Sequence, residues 1–499
     1  MLNSEWKRLK SGTDIRGTAS GGVQGEKVNL TDDVVCAVTH GFLIWAKKRL
    51  NKSASKMKIA VGRDSRISGP KILKTVCETL KESGVSVLNC SLASTPSMFM
   101  TTVDLGCDCA VQITASHHPF QRNGLKFFTR SGGLEADDIE EILQFAQDGA
   151  VNPKAECGSI TDVDYMKKYA ENLRELIKRE VNSEDFERPL AGFHIVVDAG
   201  NGAGGFYARG VLEKLGADVS GSQFLEPDGM FPNHIPNPEN EQAMEFVCKA
   251  VLENKADLGV IFDTDVDRGG VVGKSGKEIN RNRLVAIASA IALEGKQGGY
   301  IVTDSITSSG LKEYIENVLH GCHYRYRRGY KNVINKAIEL NNKGIDCPLA
   351  IETSGHAAMR ENYFLDDGAY LCTKIIIKMA QLKKEGKSID GLLDNLKEPA
   401  ESKEIRIKIK DEDFRACGER IIKELLEYSK AHNWQIADDN REGVRVSFGK
   451  DSGNGWFLLR LSVHDPIMPL NIESDEKGGA DVILSRISEF LKTADGIDF

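Results

Sequence analysis

A serine, two histidines and a lysine crowd one short stretch, residues 114–126, which reads TASHHPFQRNGLK. The apolar run just before it, residues 110–113, reads as a buried strand, so Ser116 falls at a strand end in a small, hydroxyl-rich turn. A serine hydroxyl is a weak nucleophile until a neighbour takes its proton or a cation stabilises its oxyanion. His117, His118 and Lys126 are placed to help, yet alone the stretch is equally an ordinary polar loop after a core strand. A second loop supplies the missing cation. Asp263, Asp265 and Asp267 alternate directly after the apolar residues 258–262. Carboxylates crowded in this way repel unless a cation neutralises them, and all-oxygen ligation suits a hard ion such as Mg²⁺. An EF-hand is excluded, because Arg268 and Lys274 stand where its Gly and Glu are required. Without an ion, the same triplet is a solvated acidic turn. Arg268, next to it, suits an anionic or polyol substrate.

Two further loops extend the chemistry. ETSGH puts Glu352, Ser354 and His356 on one turn, with Glu361 and the run Asp366, Asp367, Gly368 downstream. A carboxylate, a hydroxyl and an imidazole together suit hydrogen bonds to vicinal sugar hydroxyls. In LLRLSVHDP, Arg460, Ser462 and His464 alternate; if residues 456–463 are a strand, the three share a face. Guanidinium with hydroxyl makes a phosphate cradle, or else this is the polar outer face of an edge strand. Taken together, the four loops describe phosphoryl transfer to and from a phosphorylated sugar.

The elements that must position these residues follow from periodicity. Apolar runs at 58–61, 85–89 and 110–113 alternate with a helical pattern at 71–81, which implies a mostly parallel sheet covered by helices. Ligands on such sheets sit at the carboxyl ends of strands, where Ser116 lies. A polar break at 152–159 precedes a helix at 165–179 and a strand at 194–197 that runs into DAGNGAGG. Gly200, Gly202 and Gly205 fit GxGxxG, with Asp218 near the spacing of a ribose contact; the same glycines suit any tight strand-to-helix turn. Strand 258–262, helix 283–294 and strands 300–302 and 349–351 continue the rhythm. Beyond Pro399 the texture changes to alternating strands at 404–410, 444–448 and 456–463 and a last helix at 480–491, an antiparallel sheet with helices on one face. The expected fold is α/β, with three related mixed-sheet domains at 1–155, 156–277 and 278–398, and an α+β domain at 399–499.

Composition excludes other classes. The 499 residues exceed what one core supports, and 41% hydrophobic with 28% charged residues is ordinary for a globular protein. A net charge of −8 argues against nucleic acid or an anionic membrane as partner. The basic cluster Arg325, Arg327, Arg328 and Lys331 suits a small phosphorylated ligand instead. The eleven cysteines lack any CxxC spacing, as reduced thiols do. No secretory segment opens the sequence, and the most apolar run, 284–293, is about half a membrane span. A cytoplasmic protein is expected.

SGTDIRG near the start, the GRDSR loop, TASHHP with NGLK, DTDVDR, and ETSGH with DDG resemble, in this order, the motifs of the α-D-phosphohexomutase superfamily, which includes phosphoglucomutase and phosphomannomutase. The resemblance runs from residue 12 to about residue 466. It implies three α/β domains plus a smaller C-terminal domain around a central cleft. It also implies a hexose 1-phosphate and hexose 6-phosphate mutase, acting on glucose, mannose or both, with a hexose 1,6-bisphosphate as intermediate and activator. By resemblance, Ser116 carries the phosphate and joins Asp263, Asp265 and Asp267 as Mg²⁺ ligands. Arg16, His117 and Lys126 line the reacting phosphate, with Lys126 the acid–base candidate. Arg268, Glu352, Ser354 and His356 serve the sugar, Gly329, Tyr330 and Lys331 lie in the specificity loop, and Arg460, Ser462 and His464 grip the distal phosphate. A monomer or homodimer is implied. The chain departs from the pattern at His118, where relatives carry Asn, and at residues 462–465, SVHD, where relatives carry Ser-Gly-Thr or Ser-Asn-Thr. The second change removes a hydroxyl and adds a carboxylate beside a dianion. Phosphoglucosamine mutase, a sugar-phosphate-binding paralogue that no longer turns over, and a phosphatase are the competing expectations.

Overall fold

A computed structural model describes residues 1–21, 25–155, 158–462 and 465–499. The chain forms two compact units, Met1–Asn280 with Ser354–Asp390, and Arg281–Thr353 with Gly391–Phe499.

The first unit opens with strands β1 (Lys10–Ser11), β2 (Asp14–Thr18), β3 (Lys58–Arg63), β4 (Ser86–Leu92), β5 (Cys109–Ile113), β6 (Arg122–Thr129), β7 (Gly132–Gly133) and β8 (Ser159–Asp162). They form a mixed sheet in the order β1-β2-β6-β5-β3-β4-β8, with β7 beside β6. The β5-β3-β4-β8 part is parallel, and β6 returns antiparallel to β5. That return brings Lys126, opposite Gln112, back toward the end of β5 that carries Ser116. Strand alternation divides the side chains between two faces. Ile59, Val61, Val111 and Ile113 join a core with the helices Asp32–Leu50, Gly69–Glu82 and Ala136–Gln147. On the other face a Cβ at Gly62 would meet Met98 of helix Thr95–Asp104. Helix Asp32–Leu50 is set by local rules: Thr31 caps it, Asp32 and Asp33 sit in its first turn, and Lys47, Lys48 and Arg49 sit in its last.

A second sheet follows in the same unit, with β9 (Ile195–Asp198), β10 (Leu258–Phe262), β11 (Gly269–Gly273) and β12 (Glu278–Ile279) in the order β12-β11-β10-β9. Only β9 and β10 are parallel. Helix Glu241–Asn254, capped by Asn240, buries Met244, Val247 and Val251 against Val196, Ile261 and Val272.

In the second unit β13 (Tyr300–Thr303) lies between β14 (Cys322–Arg325) and β15 (Leu349–Ile351), all parallel. The strands β16 (Ala357–Met359) and β17 (Leu365–Asp366) pair antiparallel in the first unit. The rest of the second unit is an antiparallel sheet, β19-β20-β21-β22-β18-β23, built from β18 (Glu401–Ile409), β19 (Gln435–Ile436), β20 (Val444–Phe448), β21 (Gly455–Leu459), β22 (Ile467–Ser474) and β23 (Ile497–Asp498). Alternate residues Ile407, Val444, Val446, Phe457, Leu459, Leu470 and Ile472 pack on Ile421 and Leu425 of helix Phe414–Ala431 and on Ile483 and Ile487 of helix Gly479–Leu491. The architecture is thus mixed α/β sheets followed by a β-rich C-terminal domain, as the sequence leads one to expect.

One strand expectation fails. The alternation at 456–463 predicts a strand through Val463, but β21 stops at Leu459 and Arg460, Leu461 and Ser462 lie beyond it. The ladder continues only through single bonds, Arg460 N–H to the Pro469 carbonyl and Ser462 N–H to the Ile467 carbonyl. Among the described residues no helix is long and apolar enough to cross a membrane, and the described cysteines are free thiols.

Candidate active site

Strand β5 ends at Ile113, and Ser116 follows in the left-handed backbone region, φ 50°. Its N–H donates to Thr114 Oγ1 at 2.9 Å. Its side chain is thereby turned inward, 2% exposed, with Oγ 3.0 Å from Asp263 Oδ2 and 3.3 Å from His117 Nδ1. The hydroxyl and the acidic triplet, 147 residues apart in sequence, therefore meet. His117 and His118 stack at 5.1 Å. Burial, reinforced by Arg268, His118 and Arg16, drives the His117 pKa well below its usual value. Burial, with Arg16 and Arg66, lowers His118 to about 3. Both rings are thus neutral, and positive charge at this loop comes from lysine and arginine. Arg16, on β2, is anchored by a 2.7 Å pair from Nη2 to Asp14.

The three aspartates sit at the end of β10, where Val266, at φ 67°, turns the backbone so that alternate carboxylates converge. All three are at most 1% exposed, and ligand oxygens from each lie within 4.8 Å of one another. Lys126 Nζ pairs with Asp267 Oδ2 and, at 3.2 Å, with Asp265 Oδ2. Burial and the two neighbouring carboxylates push Asp263 well above the usual range. Burial also opposes the charge on Asp267, but Lys126 and Arg268 outweigh it and hold this carboxyl well below that range. One ammonium leaves the triplet short of neutral, and Asp265 Oδ1 and Asp267 Oδ1 are buried without a hydrogen-bond partner. Unsatisfied, converging carboxylate oxygens fit a hard divalent cation.

A second trio, Asp267, His356 and Asp366, is equally close, but its protons exclude metal binding. Arg268 Nε–H donates to His356 Nε2 at 2.8 Å, so that nitrogen carries the lone pair. His356 Nδ1 then carries the proton and gives it to Asp366 Oδ2, leaving no free lone pair to ligate an ion. The trio instead orients Arg268, whose Nη1 also reaches Glu239 Oε2 at 3.3 Å. Gly368 of the DDG run packs on the Arg268 backbone so closely that any Cβ would collide with it. Ser354, 3% exposed, shares this unit and the ETSGH turn.

The remaining candidates lie in the second unit. Glu352, just after β15, accepts the Gly329 N–H at 2.6 Å, and Gly329 precedes helix Tyr330–Asn342, which opens with Tyr330 and Lys331. Beside them Asp304 is fully buried; desolvation raises it to about 7, while Arg328 and Arg460 act the other way. Arg460 is 7% exposed. The Asp465 N–H donates to Ser462 Oγ at 3.3 Å. The shared-face argument for Arg460, Ser462 and His464 is therefore corrected: the first two lie past the strand end, and His464, with Val463, lies outside the described residues.

Sequence reading missed Thr95, whose hydroxyl and N–H bind the Asp265 carboxylate and, at 2.8 Å, its carbonyl. It also missed the Asp366 contact and the approach of Arg328 to Arg460. The GxGxxG glycines are explained by packing. A Cβ at Gly202 would stand 2.6 Å from the Thr264 carbonyl of the aspartate loop, and one at Gly205 would strike the Leu225 carbonyl. Asp218 accepts the Ser220 N–H.

Comparison with known proteins agrees with this geometry. Family models described as phosphoglucomutase/phosphomannomutase alpha/beta/alpha domains I, II and III match residues 8–150, 167–276 and 280–399. A phosphomannomutase/phosphoglucomutase of Pseudomonas syringae pv. tomato is 30% identical over 88% of both chains. A phosphoglucomutase of Neisseria gonorrhoeae is 28% identical over 93% of this chain and 94% of its own. The crystal structure of a phosphoglucomutase/phosphomannomutase family protein from Burkholderia thailandensis superposes with a TM-score of 0.80 at 25% identity, covering 100% of this chain and 99% of that one. With serine, acidic triplet and lysine assembled as the motifs require, the chain belongs to the phosphoglucomutase/phosphomannomutase family of phosphohexomutases, enzymes of the mutase class.

Proposed function

We propose that this enzyme interconverts hexose 1-phosphate and hexose 6-phosphate, with glucose or mannose as the sugar, through phosphorylated Ser116. The observation that carries the reading is the 3.0 Å approach of Ser116 Oγ to Asp263, inside a carboxylate cluster already engaged by Lys126. In the forward half-reaction the bond from phosphorus to Ser116 Oγ breaks and a bond forms to the free sugar hydroxyl. The resulting bisphosphate turns round, and its other phosphate returns to Ser116. Lys126 is the acid–base candidate: it gives a proton to the departing oxygen and recovers one from the attacking hydroxyl. Arg16 lines the phosphate, and neutral His117 hydrogen-bonds the serine oxygen. Mg²⁺, held by Ser116, Asp263, Asp265 and Asp267, would offset charge on the transferring group.

Arg268, Glu352, Ser354 and His356 serve the sugar in this reading, and Gly329, Tyr330 and Lys331 tune its choice. Arg460 and Ser462, with His464 beyond the described residues, hold the phosphate that is not being transferred. A hexose 1,6-bisphosphate would prime the dephosphorylated enzyme. The four domains at 1–155, 156–277, 278–398 and 399–499 and a cytoplasmic monomer or homodimer complete the proposal. One observation favours an impaired, sugar-phosphate-binding paralogue: the Asp465 N–H donates to Ser462 Oγ, which keeps an acidic residue beside the hydroxyl that would meet the phosphate. Assays of glucose 1-phosphate, mannose 1-phosphate and glucosamine 1-phosphate with Mg²⁺ and bisphosphate decide the matter. Turnover of the first two is expected; preference for the third would reassign the enzyme to phosphoglucosamine, and no turnover of any would reject mutase activity.

A further inference from the structure

Arg66, in the GRDSR loop, touches neither the acidic triplet nor the Ser116 hydroxyl, yet among the described residues it is the largest fully buried side chain, 0% exposed. Its guanidinium is spent on one object. Nη1 donates to the carbonyls of Pro119 at 2.7 Å and Arg122 at 3.0 Å, and Nη2 donates to those of His118 at 2.6 Å and of Ser116 itself. Four carbonyls of one seven-residue span, 116–122, thus converge on a single planar cation. The remaining donor, Nε, pairs with Asp64 Oδ2 at 3.2 Å. That same oxygen accepts the Thr114 hydroxyl at 2.7 Å, and Thr114 Oγ1 in turn accepts the Ser116 N–H at 2.9 Å. The serine is therefore gripped from both sides of its peptide, its carbonyl by Arg66 directly and its N–H through Thr114 and Asp64.

The grip extends to the stretch of chain that joins β9 to β10 of the second sheet. Phe231 lies over the guanidinium, 5.2 Å from ring centroid to Cζ. Gly229 forms a backbone bridge to Arg66, and a Cβ there would collide with the Ser65 carbonyl. The guanidinium's planar fork suits this task, because five donors in fixed directions define a loop shape that a point charge does not.

We infer that Arg66 is a positioning residue for phosphoryl transfer: by collecting the carbonyls of the Ser116 loop it fixes the left-handed turn at Ser116 and aims Oγ at Asp263. This rests on the phosphoserine reading above. Displacement of a reacting group by about 1 Å costs on the order of 100-fold in rate, and loss of a group that orients a metal ligand costs about 10–100-fold.

R66K keeps the charge but concentrates its donors at one point. We expect kcat to fall about 30- to 100-fold with KM within about 3-fold, and the transfer of phosphate from glucose 1,6-bisphosphate to Ser116 to slow by the same factor. Because a change in so buried a site can prevent folding, T114V is measured beside it. That nearly isosteric change leaves Arg66 in place and cuts the link from Asp64 to the Ser116 N–H. We expect about a 10-fold loss of kcat, an unchanged KM and wild-type magnesium dependence. A folded R66K with wild-type kcat overturns the inference, as does T114V with wild-type kcat or with its loss confined to KM. If R66K does not fold, T114V alone decides. A wild-type enzyme that neither carries nor accepts phosphate at Ser116 rejects the phosphoserine reading; a competent wild type with an unimpaired T114V rejects only the role of Arg66.

Discussion

The Ser116 loop and the Arg460 loop both follow strands, and both were read as sites from the polar residues crowded there, yet they are built differently. Around Ser116 every direction is tied: Asp263 and His117 meet the hydroxyl, Thr114 its N–H and Arg66 its carbonyl. Around Arg460 the strand has ended, the ladder is reduced to single bonds, and the Ser462 hydroxyl is engaged by its own loop. The contrast fits what the proposed reaction asks of each. A group that forms and breaks bonds gains from fixed geometry, whereas a group that must release and regrip a reorienting intermediate gains from give. Damage to the first loop should therefore appear in kcat and damage to the second in KM.

The largest effect is expected at the proposed nucleophile. S116A should lose at least about 10³-fold in turnover and all phosphate incorporation, read by coupled assay and intact mass, with binding of hexose phosphate retained. Next comes the triplet: D265N removes a charge and an unpartnered buried oxygen, so half-maximal Mg²⁺ should rise more than about 10-fold while the serine stays phosphorylatable at saturating metal. Residual turnover at wild-type Mg²⁺ affinity would show that Asp265 is not a ligand. R460Q should raise KM about 10-fold or more and change kcat by less than about 3-fold, by steady-state kinetics. A fall confined to kcat would erase the distinction between the two loops.

The smallest effect concerns stability in the first unit. His234 Nε2 lies 3.0 Å from Asp198 Oδ1 in a buried pair. Burial disfavours the imidazolium, but the hydrogen bond and charge of Asp198 outweigh it and raise the pKa above the ordinary 6.5. A raised folded value means that the pair's contribution is complete below the unfolded pKa and fades as pH climbs through the folded one. Urea midpoints should therefore decline above about pH 6.5 in the wild type and not in H234Q.

Much of the first loop was legible because its parts are contiguous. A strand end followed by a serine, and another followed by alternating aspartates, state both chemistry and placement within a few residues. What stayed hidden depends on pairs far apart in sequence. Thr95 meets Asp265 across 170 positions, and Arg66 meets Ser116 across 50. No local pattern marks a guanidinium that binds carbonyls, since carbonyls belong to every residue. The proton on His356 Nδ1 likewise follows only from the simultaneous positions of Arg268 and Asp366. The Arg460 face was misread because alternation is a property of strands, and nothing in residues 460–462 announces that the strand has stopped.

Manganese in place of magnesium offers the most direct test, because its electron spin reports any phosphorus in its ligand shell. With Ser116 phosphorylated and no sugar present, pulsed paramagnetic resonance should show a strong ³¹P coupling that S116A abolishes and D263N weakens. A fully phosphorylated sample whose bound manganese shows no phosphorus coupling would mean that serine and triplet do not share an ion.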